Sequence, residues 1–290
     1  MKIAIFGNKY QQEAITHIGN LLHELGNCRA QVAIEDSFYS FLHESALDLG
    51  PEIKKFGCDD AFDADVAFSI GGDGTFLRTA QVVTPLQIPI LGINTGHLGY
   101  LTSADVKEAS QVMCRLLDGD YFIENRSMLA LKSDLIDEGK PHFALNDIAF
   151  LRQETSSMIE VEVKVHDTPL TTYKGDGLLV CTPTGSTAYN LSVGGPILEP
   201  LAQCIILSPV SAHSLTMRPI VIRDSLELAI TTRSRASLYQ VSIDGETTNM
   251  PSETTVYIGK APFCTQVIQF YGHDFASTLR TKLMWGKDNR

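Results

Sequence analysis

Residues 66–77 read Val-Ala-Phe-Ser-Ile-Gly-Gly-Asp-Gly-Thr-Phe-Leu. A short apolar strand runs straight into Gly71-Gly72-Asp73-Gly74, and a helix-like segment follows. Asp-Gly is also a common hairpin pair. A hairpin needs a second strand, however, and Thr75-Phe76-Leu77-Arg78-Thr79-Ala80-Gln81 has neither strict alternation nor a turn signal. Strand, glycine loop, helix is the order of a phosphate site. Glycines let backbone N–H groups approach a phosphate with no Cβ in the way, and a helix start adds a favourable dipole. Asp73 would repel that phosphate, so its carboxylate is expected to take a proton or hold a metal ion.

Outward from this loop, the first third alternates strand and helix. Ile3 to Phe6 reads as a strand. Ile15, Ile18, Leu22 and Leu25 recur at helical spacing, with Gly26 as the expected stop. Ile88 to Ile93 is another buried strand, ending in Asn94-Thr95-Gly96-His97-Leu98-Gly99. Val106, Ala109, Met113, Leu116 and Leu117 share a helical face, with Gly119 after it. Such alternation argues for a parallel α/β sheet. Ligands then sit at the carboxyl ends of the strands, where both glycine-rich loops fall.

After about residue 125 the pattern changes. Ile159, Val161, Val163 and Val165 alternate with Glu160, Glu162, Lys164 and His166, as in a half-buried antiparallel strand. Short strand candidates follow at 178–182, 204–208, 219–222, 226–231, 238–243 and 265–270. We expect an α/β domain at 1–125 and a β-rich, sandwich-like domain at 126–271. Residues 275–283 read as one closing helix.

Composition narrows the classes. The chain has 290 residues, 44% of them hydrophobic and 20% charged, as expected of a globular protein of one or two domains. A net charge of −11 argues against a broad nucleic-acid footprint. No apolar run reaches membrane-spanning length, and the N-terminus turns polar too soon for a signal peptide. Cys28, Cys58, Cys114, Cys181, Cys204 and Cys264 show no C-x-x-C spacing, so free thiols packed in the core of a cytoplasmic protein are expected.

Three further clusters stand out. Asn146-Asp147 sets an amide and a carboxylate side by side, in either an Asx turn or a pair reaching ligand hydroxyls. Gly175-Asp176-Gly177 precedes a strand and reads as a hairpin turn or a second acidic glycine loop. Residues 182–196 are a run of hydroxyls and glycines with one aromatic, Tyr189, able to wrap a sugar and stack a ring. His97 and His213 have no partner at metal-ligand spacing. There is no Walker loop, no Gly-x-Gly-x-x-Gly after the first strand and no Gly-x-Ser-x-Gly.

In combination these segments resemble the NAD kinase family. Gly71-Gly72-Asp73-Gly74-Thr75 is similar to its glycine motif, and Asn94-Thr95-Gly96-His97-Leu98-Gly99-Tyr100-Leu101 to a second motif. Asn146-Asp147 stands where the family has Asn-Glu or Asn-Asp. Thr182-Pro183-Thr184-Gly185-Ser186-Thr187-Ala188-Tyr189 resembles its most specific stretch. Arg218 to Ile222 and the closing Leu279, Lys282, Leu283 and Trp285 fit as well.

The resemblance implies a Rossmann-like α/β domain, a β-rich domain, the dinucleotide between them, and a tail (272–290) returning to the first domain. It implies ATP and NAD as substrates, with inorganic polyphosphate as another possible donor. A divalent cation, usually magnesium, and a homo-oligomer, dimer or tetramer, are also implied. Asp73 would be the base for the ribose 2′-OH, and Gly71, Gly72 and Gly74 would open the backbone to phosphate. Arg78 would neutralise phosphate. Asn146 and Asp147 would hold ribose hydroxyls or adenine. Lys174 would lie near the nicotinamide, and Asp176 would contact the nicotinamide side or a neighbouring subunit's ligand. Thr187, Ala188, Tyr189, Asn190, Leu191 and Ser192 would line the adenine and ribose pocket. The rival readings are a diacylglycerol-type lipid kinase, similar at the glycine motif, and a non-catalytic NAD(P) sensor on the same fold.

Overall fold

The buried strands of the first third pair in parallel. In the computed structural model, Lys2–Phe6 lies between Gln31–Glu35 and Val66–Ile70. Lys54–Phe56 flanks Gln31–Glu35, and Ile90–Asn94 flanks Val66–Ile70. Val66–Ile70 is buried throughout, as its unbroken apolar run requires of a strand covered on both faces. The structure describes residues 1–50, 52–57, 60, 62–96, 99–135, 142–153, 157–272 and 274–286. Cys58, His97 and Leu98 therefore lie outside the described residues. The chain divides into two units, Met1–Asn125 with Thr265–Arg290, and Arg126–Cys264.

In the first unit, helices cover the sheet. Ile18, Leu21 and Leu25 of the helix Ile15–Asn27 pack with Phe38, Phe41 and Leu42 of Asp36–Glu44, and with Val112, Met113 and Leu116 of Ala109–Leu117. Gly26 does not stop the first helix, which runs to Asn27. The left-handed residue beyond it is Arg29, at φ 53°. The last part of the strand Thr255–Phe270 joins this sheet parallel to Ile90–Asn94, through Val267 opposite Ile90. The unit boundary thus falls at Cys264/Thr265, earlier than residue 271, because 265–270 continues as a sheet strand. A capping box of Asp274 and Ser277 starts the closing helix Phe275–Lys282.

The second unit is a sandwich of antiparallel strands. One layer runs Ile220–Arg223, Cys204–Val210, Gly177–Cys181, Asp147–Leu151, Leu238–Ile243, Glu246–Pro251. The other pairs Thr168–Gly175, Ile159–Val165, Leu228–Ser234 and the start of Thr255–Phe270. Phe150, Val180, Leu207 and Val241 from the first layer meet Val161, Val163, Ile230 and Val256 from the second. The opposite face of the first layer is also covered: Ala149, Leu179 and Ile206 pack under Val193 and Leu198. The hydroxyl-rich 182–198 segment lies on that face.

Gly175-Asp176-Gly177 is not a hairpin turn. Thr168–Gly175 belongs to one layer and Gly177–Cys181 to the other, so the chain changes layers at Asp176. Among the described cysteines all are free. Cys181 is buried as expected, but Cys114 is exposed on its helix.

Candidate active site

The glycine loop leaves the carboxyl end of Val66–Ile70, and its geometry explains its first glycine. Gly71 sits at φ 149°, and a Cβ there would lie 2.5 Å from Thr75 Oγ1 and 2.7 Å from Gln11 Nε2. Its N–H donates to the Ile93 carbonyl at 2.8 Å, tying the loop to the next strand. The helix Asp73–Val83 follows with Gly72 as an N-cap that has no side chain to offer. Among the described residues, the N–H groups of Gly72, Asp73 and Gly74 find no acceptor. Unpaired donors at a helix start, with the dipole behind them, can receive an anion.

Asp73 is half-buried in the first turn of this helix. Its carboxylate accepts the N–H of Tyr100 at 2.8 Å and of Leu101 at 3.0 Å. That seat depends on Gly99, where a Cβ would lie 2.0 Å from Asp73 Oδ1. The second glycine motif is therefore a socket for the carboxylate of the first. Burial, and then the Asp73 charge, push the Tyr100 phenol up from its ordinary value. Lys282 Nζ stands 5.1 Å from the Tyr100 ring centroid. Arg78 is exposed on the same helix as Asp73 and has no charged partner among the described residues.

In the second unit, Asn146 and Asp147 are buried at the start of Asp147–Leu151. The dipeptide is not an isolated Asx turn. The carboxylate of Asp244 accepts the N–H of Leu145 at 2.7 Å, Asn146 at 2.8 Å and Asp147 at 3.1 Å. Asp244 N–H returns to the Asp147 carbonyl at 3.0 Å. Burial, and then the Asp244 charge, raise the Asp147 carboxyl from 3.8 to about 7. Burial, with the same two carboxylates, pushes the neighbouring Cys181 thiol up, so this cysteine is inert. Asp244 is the residue the sequence reading missed. Its signal was an Asp-Gly pair between strands at 238–243 and 246–251, which marks a turn and nothing more.

The 182–196 segment is bound to this cluster. Thr182 Oγ1 donates to the Leu145 carbonyl at 2.5 Å and accepts the Gly185 N–H at 3.1 Å. A Cβ at Gly185 would lie 2.1 Å from the Asn146 carbonyl. Thr187 and Ala188 are half-buried, Tyr189 and Ser192 exposed, and Leu191 half-buried. Asn190 differs: it is wholly buried, its amide donating to the Ser186 and Pro196 carbonyls and accepting the Ser208 hydroxyl. Its side chain holds the loop's shape.

Lys174 is exposed and ion-paired across strands with Glu160 at 2.6 Å. Asp176 pairs with Arg152 Nε at 3.1 Å. His213 is exposed. No group of three metal-ligating side chains occurs among the described residues.

Comparison with known proteins follows this division. The description "ATP-NAD kinase N-terminal domain" matches residues 3–121, and "ATP-NAD kinase C-terminal domain" matches 145–270. The NAD kinase of Porphyromonas gingivalis is 44% identical over 287 residues, covering 98% of both chains. That of Bacteroides fragilis is 42% identical over 290 residues, covering all of both. Yeast NADH kinase, solved in complex with NADH, shares the fold at a TM-score of 0.89 and 22% identity, covering 100% of this chain and 89% of its own. An NAD kinase from Archaeoglobus fulgidus, solved with ATP, does so at 0.73 and 24% identity, covering 98% and 99%. On these matches over nearly its whole length, the chain belongs to the ATP-NAD kinase family.

Proposed function

We propose that Asp73 accepts the proton in the reaction of this NAD kinase, transfer of the terminal phosphate of ATP to the 2′-hydroxyl of the adenosine ribose of NAD. Phosphoryl transfer asks mainly for positioning and charge neutralisation, with one group to receive the hydroxyl proton. The observation that carries the assignment is the seat of Asp73: a carboxylate beside three unpaired loop N–H groups, oriented by the N–H groups of Tyr100 and Leu101. A carboxylate so placed makes a poor phosphate ligand and a well-oriented base.

Asn146 and Asp147 hold the acceptor's ribose hydroxyls or adenine. A buried Asp147 that keeps its proton near neutrality offers a donor as well as an acceptor. Thr187 to Ser192 line the adenosine pocket, with Asn190 acting from behind. Asp176 and Lys174 face the nicotinamide side, where their ion pairs with Arg152 and Glu160 limit their freedom. Arg78, with no charged partner among the described residues, is available to phosphate. A divalent cation such as magnesium would supply charge neutralisation at the transferring phosphate.

We infer a cytoplasmic homo-oligomer acting on soluble substrates. Among the described residues no helix is long and apolar enough to cross a membrane. The test incubates the protein with NAD or NADH and with ATP or polyphosphate, plus magnesium, and follows NADP(H). Asp73→Asn should bind ATP and NAD normally while turnover falls about 10²–10⁴-fold. Unchanged turnover in that variant would remove Asp73 from its role, and no NADP(H) with any donor would overturn the activity itself.

A further inference from the structure

The parallel sheet has one switch point. Gln31–Glu35 lies on one side of Lys2–Phe6 and Val66–Ile70 on the other. Ligands of open α/β sheets sit outside the carboxyl ends of the strands at such a point. The glycine loop forms one lip of it. The other lip is Gly7-Asn8-Lys9-Tyr10-Gln11, to which the proposed reaction gives no part.

The two lips are hydrogen-bonded, and the polarity of the bonds is fixed. Tyr10 N–H donates to Asn8 Oδ1 at 2.9 Å, so the other end of that amide, Nδ2, is the donor. Asn8 Nδ2 donates to Thr75 Oγ1 at 2.9 Å. The Thr75 hydroxyl must therefore accept from Asn8 and send its own proton elsewhere. Among the described residues nothing takes that proton. Thr75 lies in the same helical turn as the unpaired N–H groups of Asp73 and Gly74. Gln11, only 6% exposed, seats the lip by donating from Nε2 to the Ile70 carbonyl at 2.7 Å.

We propose that Asn8 is a positioning residue for phosphate binding: it orients the Thr75 hydroxyl so that Thr75 becomes a further donor to the phosphate oxygens at the glycine loop. This rests on the phosphoryl-transfer reading above. The ligand chemistry is a phosphoanhydride oxygen, which ATP and the NAD pyrophosphate both carry.

Calorimetry on the full chain, with magnesium-ATP and with NAD separately, tests this for Asn8→Ala, Asn8→Asp, Thr75→Val, Thr75→Ser and the Asn8→Ala/Thr75→Val double variant. Asn8→Ala and Thr75→Val should each weaken the same ligand about tenfold, the scale of one hydrogen bond to a charged group. The double variant should be no weaker than Thr75→Val alone. Thr75→Ser should bind as the parent does. Asn8→Asp should lose at least as much as Asn8→Ala, since a carboxylate draws the Thr75 proton to itself. The ligand that loses affinity, ATP or NAD, identifies the phosphate. Multiplicative losses in the double variant would overturn the proposal, as would unchanged affinities with a lowered thermal midpoint. Binding needs no turnover, so failure of NADP synthesis by the parent would strike the proposed function and leave this result standing.

Discussion

Replacing Asp147 by Asn should stabilise the protein, and increasingly so as pH rises. Burial, with the Asp244 charge, lifts the Asp147 carboxyl from 3.8 to about 7. A carboxyl raised on folding favours the folded state fully below pH 3.8, and that contribution is lost as pH climbs from 3.8 to about 7. At ~1.4 kcal/mol per unit, the whole span is ~4 kcal/mol. About 3 kcal/mol of it falls between pH 5 and pH 8 by the same conversion. The proton belongs on Asp147 because Asp244 is spent accepting three backbone N–H groups. The assay is denaturant unfolding of the parent and of Asp147→Asn at pH 5, 6, 7 and 8. Subtracting one curve from the other cancels every other titrating group. The stability difference should move by about 3 kcal/mol in favour of the variant between the ends of that range. A difference constant across pH would refute the buried, proton-holding carboxyl and with it the donor role given to Asp147.

Two other substitutions separate seat from fold. Gly99→Ala puts a Cβ where Asp73 Oδ1 now lies, 2.0 Å away, so the carboxylate must leave the Tyr100 and Leu101 N–H groups. NADP formation should fall about 10²-fold with the thermal midpoint nearly unchanged, and full activity would show that this seat is dispensable. Gly74→Ala meets nothing within 4 Å among the described residues beyond its chain neighbours and its own helix backbone and should raise stability by about 0.5–1 kcal/mol, as alanine does within a helix. Affinity for the loop's phosphate ligand should nonetheless drop in calorimetry. A variant both more stable and equally tight would deny that phosphate approaches Gly74.

What could be read in advance was local. The strand at 66–70, the loop and the helix behind it are one continuous pattern, and the alternation from Ile159 to His166 predicted the strand that the structure ends one residue sooner, at Val165. Gln31–Glu35 and Asp36–Glu44 went unread because no turn residue separates them: Glu35 ends the strand and caps the helix with its own carboxylate. The site divided along the same line. Asp73, Asn146 and Asp147 stand in motifs that carry their own chemistry. Asp244 acts on residues about a hundred positions away, and Asn8 on Thr75 at a separation of 67. Such partners exist only once the chain has closed.

The glycines show why both levels are needed. Gly71, Gly99 and Gly185 are bare because a protein atom occupies the place of a side chain. Gly72 and Gly74 have no left-handed φ, and a Cβ at either would meet nothing within 4 Å among the described residues beyond its chain neighbours and its own helix backbone. Gly72 suits the N-cap, where glycine outranks alanine, but Gly74, inside the first turn, costs up to ~1 kcal/mol against alanine. Among the described residues nothing in the fold asks for a glycine at position 74. The N–H groups of Gly72, Asp73 and Gly74, unpaired among the described residues, are disposed to receive an anion. The same string of four residues therefore holds Gly71 for the fold and, on the proposed reaction, leaves Gly74 bare for the ligand.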